Sequence, residues 1–204
     1  IMGQREGVVV VETDDNVAIA DLDIVNPYFR TKDSFEVLSK NNIRLISSEY
    51  AGTNVDVPAL PAETYAITDD KTISAVIDVG GDDRGALALG RYTPAITEEN
   101  NYEFIFVINK FRPLTRTATE AFEVMKEIES AAKLKFTGIV NNSNIGEETT
   151  AEDIISSDEY AEELKKLSGL PIYLTTVKAS LLKEVEGKVM NPYPLTLYVR
   201  QSWE

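Results

Sequence analysis

The sequence predicts an α/β fold: a doubly wound, mostly parallel sheet with helices on both faces. Two observations carry this. Short apolar runs recur along the chain and are continuous rather than alternating, the pattern of strands covered on both faces. Stretches of helical periodicity fall between them, and strand–helix alternation builds parallel sheets through crossover helices.

The elements follow in order from Val17. "NVAIADLD" (Asn16–Asp23) is a buried-strand pattern ending in acids, and "IRLIS" (Ile43–Ser47) is a shorter strand. "ISAVIDVGGDD" (Ile73–Asp83) is a strand with a Gly-Gly turn behind it. "YEFIFVINKFRP" (Tyr102–Pro113) is a strand that breaks at Asn-Lys and a proline, and "KFTGIVNNSNIG" (Lys135–Gly146) runs from strand into polar loop. "LPIYLTTV" (Leu170–Val177) and "LTLYVR" (Leu195–Arg200) complete the set. The clearest helix is Thr117–Lys135, where Ala118, Phe122, Met125, Ile128 and Ala132 recur at helical spacing and Thr117 with Glu120 fits a capping box. Thr149 and Glu152 suggest the cap of a second helix. Asp158–Gly169 reads as a third, with Gly169 past its end and Pro171 opening the next strand. No repeat, low-complexity tract or linker divides the chain, so residues 1–204 are expected to form a single domain.

Composition sets limits. The 204 residues are 43% hydrophobic and 26% charged, a globular balance, with a net charge of −14. That charge repels a phosphate backbone, so general nucleic-acid binding is not expected. No apolar run is long enough for a membrane span. No charged segment leads into an apolar one as in a signal peptide, and the chain begins at Ile1 rather than Met, so its natural start is expected to lie further upstream. There is no Cys and no His, which excludes disulfides, thiolate nucleophiles, Cys/His zinc sites and Ser-His-Asp triads. Chemistry must come from carboxylates, Lys, Arg, hydroxyls, amides, backbone groups or an oxygen-bound metal such as Mg²⁺. A cysteine-free chain is compatible with a cytoplasmic location.

In a doubly wound sheet, ligands collect at the carboxyl ends of the strands. Asp21 and Asp23 stand at one such end, and Asp78, Gly80, Gly81, Asp82 and Asp83 at another. Asn109, Lys110 and Arg112 follow "FIFVI", and Asn141, Asn142 and Asn144 follow "TGIV". The cations are suited to phosphate, although such a pair in a loop is often simply solvated. The acidic helix faces near Glu147–Asp153 and Asp158–Glu163 read as solvated surface.

Taken together, "VAIADLDIVNPYFR", "VIDVGGDDRGALALGRY", "FVINKFRP" and "GIVNNSNIGEETTAED" resemble the CobQ/CobB/MinD/ParA group of P-loop nucleotide-binding proteins, from about Asn16 onward. The resemblance implies a P-loop NTPase-like fold and a role for each strand end. Asp78-Val-Gly-Gly81 matches the DxxG pattern, in which the Asp holds Mg²⁺ and a glycine lets backbone approach the γ-phosphate. Asp21 and Asp23 match acids of the first switch segment, one near Mg²⁺ and one orienting the attacking water; the division of these roles stays open. "NPYFR" continues that segment. Asn141 and Asn142 match the position where an amide reads the base, since an amide offers both donor and acceptor.

One part of the pattern is incomplete. A phosphate loop reads G-x-x-x-x-G-K-[ST], and no Gly-Lys-Ser or Gly-Lys-Thr occurs. "IMGQREG", with Gly3 and Gly7, is how such a loop begins. Only five residues separate Val11 from Val17, where a parallel crossover needs about a dozen. Either residues are missing from the sequence here, or the chain is a variant that has lost its phosphate loop. The first is the favoured expectation.

The resemblance implies a Mg²⁺-dependent, nucleotide-binding switch protein, an ATPase if the phosphate loop is intact. ATP is the expected nucleotide, with GTP open. A homodimer or a protein partner is plausible. Two rivals stand beside it: a non-catalytic relic of the fold acting as an interaction module, and an amidotransferase or synthetase domain of the cobyrinate or dethiobiotin type.

Overall fold

The computed structural model describes residues 16–22, 35–47, 65–81 and 83–195. Gly3, Gly7, Asp23, the Val8–Val11 run and "NPYFR" lie outside the described residues. The protein is a mixed α/β chain of parallel sheets flanked by helices, as the sequence predicts. It forms two compact units. Of the described residues, one draws on those from 16 to 102 with 131–133, and the other on 103–130 and 134–195.

The first unit holds β1 (Asn16–Asp21), α1 (Phe35–Lys40), β2 (Arg44–Ser47), α2 (Ala66–Asp69), β3 (Ile73–Asp78), α3 (Asp83–Leu89) and α4 (Thr93–Glu99). Its sheet has the order β2-β1-β3, with β1 parallel to both neighbours. Side chains alternate across a strand, so β1 serves two cores at once. Ile19 packs with Leu38 of α1 and with Ile43. Ala18 and Ala20 pack with Ile46 and with Ile67 of α2. That is why "VAIA" is apolar at every position. Pro94 sits in the first turn of α4, where its fixed φ suits a helix start. Asn100 ends the same helix in the left-handed region (φ 51°).

The second unit holds β4 (Ile105–Ile108), α5 (Ala118–Ala132), β5 (Gly138–Asn141), α6 (Ala151–Ser168), β6 (Ile172–Lys178), α7 (Leu182–Val185) and β7 (Pro192–Leu195). Its strands lie in chain order, β4-β5-β6-β7, all parallel. The expected cap of α5 is present: Thr117 N–H donates to Glu120 Oε2 (3.0 Å), and Glu120 N–H donates to Thr117 Oγ1 (3.2 Å). Ala118, Ala121, Met125 and Ile128 are its buried stripe, while Phe122 is only half-buried.

Two expectations are corrected here. The second and third predicted helices are one continuous helix, α6, because nothing between Asp153 and Asp158 interrupts it. Its capping box is Thr150 with Asp153, one residue beyond Thr149 and Glu152. Thr149 instead closes the preceding turn, donating to the Gly146 carbonyl (2.6 Å). The last described strand is Pro192–Leu195; the predicted strand Leu195–Arg200 lies, past Leu195, outside the described residues. Gly169 ends α6 as expected, at φ 73°, with its N–H donating to Lys165 O (2.9 Å).

At the start of β5 and β6, Tyr173 lies over Gly138, where an added Cβ would meet the ring at 2.5 Å. The Tyr173 hydroxyl donates to Glu103 Oε2 (2.7 Å), and the Thr137 hydroxyl donates to the same oxygen (2.5 Å). These donors hold the Glu103 carboxyl below its ordinary range, Thr137 most of all. The three atoms nearest to such a Cβ all belong to the Tyr173 ring, so Gly138→Ala would require that ring to move.

Tyr160 of α6 is buried, and its hydroxyl makes no hydrogen bond of ordinary geometry. Burial pushes its pKa up to about 12; nearby Thr115 tempers the rise and Glu120 adds to it. A raised folded-state pKa contributes stability that is complete below the unfolded value, near 10, and lost as pH climbs through the folded one. The loss should therefore fall between about pH 10 and 12 and amount to roughly 3 kcal/mol. Tyr160→Phe is expected to leave the urea midpoint at pH 7 within about 0.5 kcal/mol of wild type, because no hydrogen bond is lost. The same variant is expected to flatten the alkaline decline. Equal alkaline slopes for the two proteins would refute the assignment.

Candidate functional site

Each unit presents its polar residues at the carboxyl ends of its strands. In the first unit, the neighbouring parallel strands β1 and β3 end in register, Asp21 opposite Asp78. The Leu22 N–H donates to the Asp78 carbonyl (2.8 Å) and holds the two chain ends together. Asp21 is buried and Asp78 half-buried. Among the described residues there is no cluster of three or more acidic side chains that could hold a metal. Two adjacent carboxylates are nonetheless a sufficient protein contribution for Mg²⁺, which retains several waters and takes the rest of its shell from phosphate.

Behind Asp78 the chain turns through Val79, Gly80 and Gly81 into α3. Gly80 is buried and Gly81 exposed. The steric demand falls on a residue the sequence reading passed over. A Cβ on Gly85 would lie 2.4 Å from the Gly80 carbonyl oxygen and 2.6 Å from Gly80 Cα, whereas one on Gly81 would meet nothing within 4 Å. The turn after Asp78 is thus closed backbone against backbone by Gly85. A signal was available: glycine inside a helix costs about 1 kcal/mol relative to alanine, so its presence there calls for a reason.

In the second unit, Asn109 follows β4, Asn141 ends β5 with Asn142 behind it, and β6 carries Thr175 and Thr176; all five are buried. Asn141 donates through Nδ2 to Ser157 Oγ of α6 (2.9 Å). Its Oδ1 accepts from Ser143 N–H (3.2 Å) and Ser143 Oγ (2.7 Å). Asn109 reaches the same loop: Nδ2 donates to Asn144 O (3.0 Å), and Oδ1 accepts from Phe111 N–H (3.0 Å) and Asn144 N–H (3.3 Å). The Lys110 N–H donates to Ser143 Oγ (3.0 Å). Side-chain amides therefore tie the loops after β4 and β5 into one body. Asn142 accepts at Oδ1 from the Thr176 hydroxyl, and no bond is made by its Nδ2 among the described residues. Lys110 Nζ donates to the Ser156 carbonyl of α6 (2.7 Å), and Lys178 pairs with Glu147 (2.7 Å). Asn109 was named from the sequence as a strand-end residue; Ser143, Ser157 and Thr176 were not.

No family model matches the chain, and no curated protein matches it. Among solved structures, FtsY from Mycoplasma mycoides matches at 18% identity with a TM-score of 0.48, over 80% of this chain and 52% of that one. The chain thus spans about half the length of that structure. Among the described residues, no helix is long and apolar enough to cross a membrane.

Proposed function

We propose that residues 1–204 are a nucleotide-binding domain of a Mg²⁺-dependent, NTPase-like switch protein similar to the MinD/ParA group. The supporting observation is the pairing of Asp21 with Asp78 at the ends of adjacent parallel strands, followed by a glycine turn. In this reading Asp78 and Asp21 hold the metal, which when bound neutralises charge on phosphate oxygens. Asp23 is assigned the orientation of the attacking water. Gly80 and Gly81 supply close backbone approach, and Gly3 with Gly7 belongs to the phosphate loop.

The base reading is assigned to the loop after β5. Asn141 has its carbonyl and one amide hydrogen engaged within the fold, so its role there is to position the loop. Asn142 keeps its Nδ2 available and is the reader. A lone donor satisfies a ring nitrogen that adenine and guanine share, so ATP is preferred on resemblance only. A cytoplasmic homodimer is the state proposed for the intact protein.

The test is titration of the intact protein with labelled ATP and labelled GTP, each with and without Mg²⁺. Wild type is expected to bind more tightly with Mg²⁺, and Asp78→Ala to lose at least about tenfold in affinity, or roughly 1.4 kcal/mol. Equal binding by wild type and Asp78→Ala removes the metal assignment. Absence of any nucleotide binding favours the non-catalytic interaction module.

A further inference from the structure

The structure carries an interaction surface that the nucleotide reading does not use. The loop from Asn109 to Arg116 contains Lys110, Arg112 and Arg116, and no acidic residue occurs from Phe104 to Thr119. In a chain of net charge −14, this is a local reversal of sign. At its tip, Leu114 is 81% exposed, more than any other large apolar side chain among the described residues.

The loop is also held in shape. Arg112 N–H donates to Asn109 O (3.1 Å), and Thr115 N–H to Arg112 O (3.2 Å), two successive turns. The Asn109 side chain accepts from Phe111 N–H (3.0 Å), and Pro113 fixes one backbone angle before Leu114. Lys110 is bonded to a neutral carbonyl and so keeps its charge. Arg116 faces Glu120, a carboxylate that Thr117 holds in its charged form, so the cation is partly offset there and the leucine carries more of the contact. An apolar anchor on a preformed loop loses little entropy on binding, and flanking cations steer and orient an oppositely charged partner.

We propose that the Lys110–Arg116 loop docks an acidic segment of a partner protein that accepts Leu114 in an apolar notch. The remaining acidic surface repels a polyanion such as duplex nucleic acid, so charge alone does not specify the partner; the leucine does.

The test is fluorescence anisotropy of the intact protein with a labelled short peptide of Glu, Asp, Leu and Phe. Poly-glutamate of equal length and a Lys-for-acid version serve as competitors. The acidic apolar peptide is expected to bind, more weakly as salt rises. Leu114→Ser and Arg116→Glu, both at exposed positions, are each expected to weaken it about tenfold while keeping wild-type near-UV circular dichroism. Three outcomes of the titration overturn the proposal: no binding, equal binding by the variants, or competition by poly-glutamate as strong as by the peptide. Sedimentation showing self-association that Leu114→Ser abolishes also overturns it, since the occupant is then a second copy.

Discussion

Gly85→Ala is expected to destabilise the protein by about 3 kcal/mol, because the new methyl must displace backbone rather than a side chain. The contacts it would make, 2.4 Å to Gly80 O and 2.7 Å to Gly80 N, are far inside van der Waals distance. Alanine is the better helix former by about 1 kcal/mol, so the clash must outweigh that gain before any loss is measured. Gly81→Ala is the control. Its Cβ has open space, and its cost should stay within about 0.5 kcal/mol. Urea midpoints of the two variants check this. If they coincide, the turn after Asp78 is not closed by Gly85. In the proposed function, Gly85→Ala should also weaken nucleotide binding in step with Asp78→Ala, since both act on the same turn.

Asn141→Ala is expected to cost a similar amount, about 3 kcal/mol, for a different reason. The amide leaves behind a buried Ser143 N–H and hydroxyl without their acceptor, while the Ser157 hydroxyl loses an incoming donor but still donates to the Ile154 carbonyl (2.7 Å). Each stranded group costs roughly 1–3 kcal/mol, reduced where water enters. Asn142→Ala loses a single side-chain bond, from the Thr176 hydroxyl, and should cost nearer 1 kcal/mol. The two asparagines therefore separate: position 141 should dominate stability, and position 142 nucleotide affinity. Thermal unfolding beside nucleotide titration measures both. If Asn142→Ala is the more destabilising, the positioning role given to Asn141 fails.

Much of the architecture was legible because burial leaves a direct trace in sequence. "VAIA" is apolar at consecutive positions since α1 and α2 cover opposite faces of β1. Thr117 with Glu120 and Gly169 mark helix ends through their own backbone chemistry. The α6 start shifted by one residue because Thr149 and Thr150 are chemically alike, and only geometry shows which hydroxyl faces the free N–H groups. The break predicted within α6 had no breaker residue to cause it. The short helices α1 to α4 were not anticipated, since pieces of four to seven residues carry too few turns for a period to emerge. At the strand ends, Asp21, Asp78, Asn141 and Asn142 were found from residue type and place. What they bond to was not, because Ser143 and Ser157 lie on different elements and are related only by packing.

The strand orders of the two units also bear on how the chain folds as it is synthesised. In the second unit every strand pairs with its successor, so each new strand meets a template that already exists. In the first, β1 sits between β2 and β3, and its pairing with β3 must wait until α2 has been made and the chain has crossed back. Pairings between nearer parts of the chain close smaller loops and form sooner. The edge that brings Asp78 beside Asp21 is therefore expected to be among the later contacts of its sheet, and the acidic pair to come together only once both neighbours of β1 have been made.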